Sequence, residues 1–295
     1  MKPVPFGYHA PTSLEQAVEL KGQYGDEAKI LAGGQSLVPA MNFRVVQPAV
    51  LIDLNRVPEL AYIKHAGESA LRIGAMTRER QLEFDPLIPL RAPLLAEAIP
   101  HVAHPQIRNR GTLGGSLVNA DPAAELPVIM VALGARLKVR GSGGERWVGA
   151  QDFFLGMFST DLAPEEILVE VELPPMPPRT GWSFIEVAPR HGDYALMGLA
   201  ALVTLDAGGR IQNARLVYLN AGEGPVVADR AAQGLSGQAA TETAIAEAAE
   251  LAGREEIDPL GNIHATPEFQ RHLAGVLTRR ALQQATRRAQ EAGQA

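Results

Sequence analysis

Two hydrophobic periods alternate along the first fifty residues. Leu14, Ala17 and Val18 recur at helical spacing behind Thr12 and Ser13, with Glu15 and Gln16 three residues beyond those hydroxyls. That is the capping-box arrangement, so a helix is expected to begin there. Lys29-Ile30-Leu31 reads as a short strand running into Ala32-Gly33-Gly34-Gln35-Ser36, and Val50 to Leu54 is a second strand candidate. Strands with an intervening helix predict a small α/β unit over residues 1–57.

The pattern changes from residue 58. Ala70-Leu71-Arg72-Ile73-Gly74 and Ala135-Arg136-Leu137-Lys138-Val139-Arg140 alternate apolar with polar, as half-buried strands do. Asp121-Pro122 ahead of the apolar run Ala123 to Leu133 predicts a helix capped by Asp121 with proline at its first position. Glu166 to Leu173 is a further strand, and residues 58–175 together read as an α+β unit. Pro174-Pro175-Met176-Pro177-Pro178 cannot sit inside a helix or a central strand, which predicts a stiff extended linker.

Residues 176–295 then carry strand candidates at 182–188, 196–205 and 210–219, and helices near 226–234, 241–253 and 267–290. The last helix has Phe269, Leu273, Val276, Leu277 and Ala281 on one stripe. Its Arg279, Arg280, Arg287 and Arg288 crowd the end where the helix dipole favours cations. They read as a solvated basic end, with a docking surface as the alternative.

Composition narrows the classes of function. With 46% hydrophobic and 20% charged residues the chain is globular rather than disordered or coiled-coil. At 295 residues it exceeds what one core usually serves. A net charge of −6 argues against a nucleic-acid binder that works by phosphate neutralisation. The absence of cysteine removes disulfides, thiol nucleophiles and thiolate-ligated clusters from this chain. His101 and His104 are spaced for a metal, but Pro105 follows and no further ligand completes a site. The amino terminus has no apolar core of signal-peptide length and no run approaches a membrane span, so the expected place is the cytoplasm, or the periphery of a larger complex at the inner membrane.

The chemistry-bearing residues are two glycine pairs, in Ala32-Gly33-Gly34-Gln35-Ser36-Leu37 and in Thr112-Leu113-Gly114-Gly115-Ser116-Leu117. Without Cβ atoms, successive N–H groups can converge on an anion, and a neighbouring hydroxyl adds a donor. One such pair is commonly a plain turn, whereas two in one chain suit a shared diphosphate. Neither has the G-x-x-x-x-G-K-[ST] or G-x-G-x-x-G form, which argues against a P-loop enzyme and a Rossmann domain. No G-x-S-x-G elbow supports a serine triad.

The segment Lys29 to Leu37 resembles the first flavin motif of the FAD-binding medium subunits of molybdenum hydroxylases, the family of carbon monoxide dehydrogenase, quinoline oxidoreductase and xanthine dehydrogenase. The run Ile107-Arg108-Asn109-Arg110-Gly111-Thr112-Leu113-Gly114-Gly115-Ser116-Leu117-Val118-Asn119-Ala120-Asp121-Pro122-Ala123-Ala124-Glu125-Leu126-Pro127 resembles the second. The resemblance covers essentially the whole chain, including His264-Ala265-Thr266.

It implies an α+β chain: a vanillyl-alcohol-oxidase (PCMH) type FAD-binding fold of two subdomains, 1–57 and 58–175, then a C-terminal α/β domain, 176–295, with a small antiparallel sheet and helices. FAD would lie between the first two. Carried over residue by residue, the cofactor contacts fall on Lys29, Leu31, Ala32, Gly33, Gly34, Gln35, Ser36 and Leu37, and on Thr112, Gly114, Gly115, Ser116, Asn119 and Asp121. By similarity Val102 would pack near the flavin, Glu125 would reach the adenosine ribose, and Leu162 would touch the ring system. Asp121 has the competing role of helix cap.

Trp182, Phe184, Glu186 and Ala188 share one strand face. The family often has lysine at Glu186, near the ring, and some relatives have glutamate. A carboxylate there would disfavour added negative charge on the flavin. An edge-strand glutamate facing solvent is the other reading. Tyr194 falls where relatives place an aromatic near the ring, against a tyrosine that packs only its own domain. Gln35 stands where some relatives of the fold anchor flavin covalently through histidine, so non-covalent FAD is expected.

The implied function is an electron-transfer flavoprotein subunit with no catalytic residue of its own. It would receive electrons from two [2Fe–2S] clusters on a small partner subunit, downstream of a molybdenum–pterin cofactor on a large one, in a dimer of heterotrimers. The missing cysteines fit clusters held elsewhere. A self-sufficient FAD-dependent oxidase or reductase of the same fold is the alternative, and a nucleotide-binding scaffold that has lost redox activity is a third. Substrate and electron acceptor stay open.

Overall fold

The computed structural model describes residues 2–67 and 70–293 as three sheets of three or more strands and a two-stranded ribbon, with helices packed on and between them. The first sheet is parallel, with β1 (Gly7–His9) and β2 (Ala28–Leu31) on either side of β3 (Val50–Asp53). β1 is too short and too exposed to show in the hydrophobic pattern. Between β1 and β2 runs α1 (Leu14–Tyr24), whose N-cap is Ser13: its Oγ accepts from the Gln16 N–H at 3.2 Å. Gln16 Oε1 accepts in turn from the Thr12 N–H at 3.0 Å, so the two predicted hydroxyl residues divide the capping box. α2 (Leu37–Asn42) follows the first glycine loop directly.

The second sheet is antiparallel, in the order β4 (Ile63–Ala66), β5 (Ala70–Gly74), β10 (Ile167–Leu173), β6 (Arg136–Gly141), β7 (Gly144–Gly149). A long helical excursion separates β5 from β6: α3 (Glu79–Phe84), α4 (Leu87–Arg91), α5 (Pro93–Ala98), α6 (Pro105–Arg108), α7 (Leu113–Asn119) and α8 (Glu125–Ala132). All eight residues of α8 are buried, so its sequence is uniformly apolar after Glu125 rather than amphipathic. α9 (Ala150–Phe153) leads into a two-stranded ribbon, β8 (Phe154–Gly156) with β9 (Ser159–Thr160). The predicted cap at Asp121 is displaced: α8 begins at Glu125, and Asp121 Oδ1 accepts from the Ala123 N–H at 3.0 Å. Asp121 thus closes a local turn that ends α7, a use of its short carboxylate that competes with capping.

Residues 174–177 are extended coil, as Pro174, Pro175 and Pro177 favour, and Pro178 lies in the turn that follows. The third sheet is antiparallel, β11 (Thr180–Val187), β12 (Met197–Leu205), β13 (Ile211–Leu219), β14 (Val226–Val227). α10 (Asp229–Leu235), α11 (Glu242–Leu251) and α12 (Pro267–Ala292) cover one face. α12 lies directly on β11. A Cβ at Gly181 would fall 2.5 Å from the Ala289 nitrogen and closer still to the Ala285 carbonyl, so only glycine permits that approach.

The opposite face of this sheet is not closed off from the middle unit. Phe184, Ala195, Ala200, Val217 and Leu219 belong to the same buried cluster as Leu95, Leu113, Ile129 and Val171. Met76, Ile167 and Val169 likewise join the core of the first sheet. The chain therefore holds its three sheets together through shared apolar cores, not through linkers alone.

Arg288 departs from the reading of the basic helix end. Its Nη1 donates to the Trp182 carbonyl at 2.8 Å and to Glu97 Oε2, with the guanidinium 5.1 Å from the Trp182 ring. It fastens α12 to α5 across β11 rather than facing solvent. Arg288→Ala is expected to cost about 1–2 kcal/mol, since a charge-assisted bond and a stacked cation are lost at a partly exposed site. Urea midpoints of wild type and variant measure it, and equal midpoints would make the contact inert. Among the described residues no helix is long and apolar enough to cross a membrane.

Candidate functional site

The first glycine loop leaves β2 and turns into α2. Gly34 has φ +75°, the left-handed region that favours glycine. At Gly33 a Cβ would lie 2.8 Å from Gly111 Cα and closer to the Arg110 carbonyl, so this loop presses onto the chain that enters the second one. Gln35 Nε2 donates back to the Gly33 carbonyl at 3.1 Å, and the Gly34 carbonyl accepts from the Val38 N–H at 3.1 Å. The N–H groups of Gly33, Gly34, Gln35, Ser36 and Leu37 have no acceptor among the described residues. A run of unspent N–H groups around a left-handed residue is a concave anion-binding nest.

The nest opens on a pocket of about 370 Å³ lined by Leu31 to Gln35, Val38, Pro39, Asp53, Asn55 and Arg110. Lys29 is exposed on β2, and Ser36 and Leu37 adjoin the lining without being part of it. Asn55 Nδ2 donates to the Ala32 carbonyl at 2.9 Å and its Oδ1 accepts from Arg78 Nη2 at 2.5 Å. Arg78 also donates to the Arg110 carbonyl. Burial and the Arg110 charge lower its pKa, yet a guanidinium stays charged at neutral pH. Burial pushes Asp53 up, but donation from the Tyr8 hydroxyl (2.6 Å) and the Asn55 N–H (2.8 Å) outweighs it and holds the carboxyl below its ordinary range.

The second loop solves a different problem. Leu113 N–H donates to the Thr77 carbonyl (3.0 Å), Gly114 N–H to Ala75 O (2.8 Å), Gly115 N–H to Thr112 Oγ1 (3.1 Å) and Ser116 N–H to Thr112 O (3.0 Å). The first turn of α7 is therefore spent on protein acceptors, and its glycines serve close packing. A Cβ at Gly114 would come 2.7 Å from Ala75 Cβ, and one at Gly115 would come 2.7 Å from Thr112 Oγ1 and 3.6 Å from Ala32 Cβ. The expectation that both glycine pairs free their N–H groups holds for the first loop only. In the second loop Ser116 and Asn119 are half-buried, and Gly115 is the residue that approaches Ala32 of the first.

Beyond α7 a group of ionisable residues gathers where α8, β11 and the loop before β12 meet. Glu125 opens α8 at 7% exposure, and burial, then the nearby Glu186, push its pKa up to about 7. Glu186 is not a solvent-facing edge residue: its side chain is 4% exposed, with Oε1 3.1 Å from His101 Nδ1. Its other oxygen is buried with no partner among the described residues. The bond with Glu186 raises the His101 pKa against the opposing pull of burial. The His101 ring stands edge-on to Phe184 at 5.3 Å and tilted to His191 at 5.6 Å. Tyr194 is largely exposed, within reach of the Asp121 and Glu125 charges. Val102 is buried, and Leu162 is partly buried against the central core.

Three residues that position this site were not singled out from the sequence. Arg108, 4% exposed, donates from Nη1 to the Val102 (2.9 Å) and Ala103 (2.8 Å) carbonyls and from Nε to Glu83 Oε2 (3.0 Å). It fixes the turn bearing His101 and Val102. Asn55 braces the first loop as described. Glu79 lies buried under Gly111 with Oε2 unpartnered among the described residues.

The chain is similar to known proteins over nearly its full length. The family described as "FAD binding domain in molybdopterin dehydrogenase" matches residues 4–176, and "CO dehydrogenase flavoprotein C-terminal domain" matches 182–285. Subunit alpha of the 6-hydroxypseudooxynicotine dehydrogenase complex of Paenarthrobacter nicotinovorans is 40% identical, the alignment covering 98% of this chain and 97% of the relative. The carbon monoxide dehydrogenase medium chain of Hydrogenophaga pseudoflava is 38% identical over 96% and 97%. The solved carbon monoxide dehydrogenase from Hydrogenophaga pseudoflava superposes with a TM-score of 0.94 at 39% identity, over 98% of this chain and 99% of that one. Quinoline 2-oxidoreductase from Pseudomonas putida 86 gives 0.92 at 40%, with the same coverage. The chain belongs to the family of FAD-binding medium subunits of the molybdenum hydroxylases.

Proposed function

We propose that this chain holds FAD non-covalently in the cleft between its first two sheets, as the electron-transfer subunit of a three-part complex. The carrying observation is the run of unspent N–H groups from Gly33 to Leu37 beside Arg110, a cradle of the right chemistry for a diphosphate. Lys29, Leu31, Ala32, Gly33, Gly34, Gln35, Ser36 and Leu37 form one wall of the site, and Thr112, Gly114, Gly115, Ser116, Asn119 and Asp121 the other. Val102, Leu162, Glu186 and Tyr194 stand at the ring end. Glu125 is assigned to the cofactor as well. The resemblance gives it the adenosine ribose, while the Glu186 charge acts on it and its own charge acts on Tyr194, which supports a place near the ring as well.

FAD supplies reversible two-electron chemistry when bound. The chain's task is to hold it, shield it from water and set the charge around it. The partners are a large subunit with the molybdenum–pterin cofactor and a small subunit with two [2Fe–2S] clusters, assembled as a dimer of heterotrimers in the cytoplasm. The absence of cysteine from this chain supports clusters held elsewhere. The domain division 1–57, 58–175 and 176–295 is supported by one sheet in each part.

Native complex purified without a tag is expected to carry FAD on this chain, with molybdenum and four irons per flavin on co-purifying subunits. An absorbance spectrum, cofactor release and metal assay read this directly. A chain that purifies alone, binds FAD and turns over a substrate would overturn the subunit reading in favour of an independent flavoenzyme.

A further inference from the structure

We propose that His101, Glu186 and Glu125 form a proton-exchange site of the cleft, taking up one proton from solvent through His101 when negative charge is placed on a flavin beside them. The proposal rests on the reading above that the ring end of FAD lies at this cluster. Electrons come from the reductant that serves the flavin, and no protein group is oxidised or reduced. A proton leaves solvent water for the free imidazole nitrogen, and the Nδ1 proton is shared with Glu186 Oε1. The bonds that form and break are N–H and O–H only.

The geometry carries this. Glu186 and Glu125 are two buried carboxylates that act on one another, and Glu186 Oε2 is an unpartnered buried acceptor among the described residues. Two such groups cannot both stay ionised cheaply unless His101 beside them carries a proton, so a proton is bound within the cluster near neutral pH. The cations close by are committed elsewhere. Arg288 from α12 is engaged by Glu97 and the Trp182 carbonyl, and Arg108 from α6 by Glu83 and three carbonyls.

The other groups that face the cluster are Glu97 from α5, Asp121 from the turn before α8, Glu79 from α3, and His104, His191 and Tyr194 from the flanking loops. The acids add negative potential, which favours binding a proton. His101 links the buried acids to water: its side chain is 30% exposed and bonded to Glu186. Burial pushes the Glu125 pKa up to about 7, and the bond with Glu186 raises that of His101, so both groups hold a proton more firmly than they would in water.

Spectroelectrochemical titration of the FAD-loaded complex over the range from about pH 6 to pH 9 tests the idea without enzyme turnover. The dependence of the flavin midpoint on pH gives protons taken up per two electrons. Wild type is expected to hold close to two protons up to about pH 8, and Glu186→Gln and His101→Gln to fall to one from about pH 7. Glu125→Gln should shift the break in the same direction and serves if either other variant fails to fold. Identical dependences in wild type and variants, with FAD bound, overturn the proton site. A native complex that lacks FAD overturns instead the cofactor reading beneath it.

Discussion

Gly33→Ala is expected to lose FAD while keeping most of the fold. The added methyl group points at the Arg110 carbonyl and Gly111 Cα, main-chain atoms that cannot swing aside as a side chain can. Overpacking of this kind costs roughly 1–3 kcal/mol, here spent on opening the seam between the two glycine loops. A shift of that size in the cleft corresponds to about a 5- to 150-fold weaker hold on the cofactor. The buried core of the first sheet, from Leu14 and Ala17 to Ile52 and Leu54, meets the loop through the partly buried Ala32, so most of the secondary structure should persist. Gly143→Ala is the control, because a Cβ there meets nothing within 4 Å. The ratio of flavin to protein absorbance after gel filtration gives the answer. Full occupancy in Gly33→Ala would mean that the seam tolerates widening and that the cradle is held by something else.

The same glycine shows why a valine at Gly33 or Gly114 does not test crowding of a diphosphate. At both positions the first atoms met are the protein's own, Arg110 and Gly111 in one case and Ala75 in the other. The two loops divide the labour. The first keeps its N–H groups unspent, and the second spends them to clamp residues 75–79 so that the first has a rigid floor. The binding surface is thus a product of the seam rather than of either motif alone.

Elements whose signal lies within ten residues were legible in the sequence. Ser13 and Gln16 marked α1, alternation marked β5 and β6, and the prolines from 174 to 178 marked the extended coil. What was not legible depends on distant partners. His101 and Glu186 are 85 positions apart, and the sequence showed only a glutamate on an apolar strand face and a histidine near a proline. Arg288 looked like one of four solvated cations because Glu97 lies 191 residues earlier. Asp121 misled for a local reason, since an Asx turn and a helix cap use the same side chain and the same following N–H groups. Glu79 was hidden because it lies between two arginines, Arg78 and Arg80, and its burial comes from Gly111, 32 residues later in the chain.

Glu79→Gln is expected to stabilise the protein, and to do so increasingly as pH rises. The Glu79 side chain is buried, its Oε2 has no partner among the described residues, and its pKa is pushed up to about 8. Burial is the main cause and the charge of Glu125 the second, with Arg108 and Arg78 opposing both. In the unfolded chain the same carboxyl ionises near its ordinary value of about 4.3. The folded state therefore keeps a proton that the unfolded state has released, and stability declines as pH rises from that ordinary value through about 8, then levels off. Integrated over the interval, the loss has an upper bound on the order of 5 kcal/mol, of which relaxation around the site leaves about half. Glutamine carries no ionisable proton, so the gap between variant and wild type should be close to zero at about pH 5 and reach about 2 kcal/mol by about pH 9. Urea unfolding of the FAD-loaded protein across that range measures it, with cofactor saturating so that its contribution cancels. A gap that stays flat with pH would mean that Glu79 is ionised in the fold and paired with Arg78 or Arg108 after all.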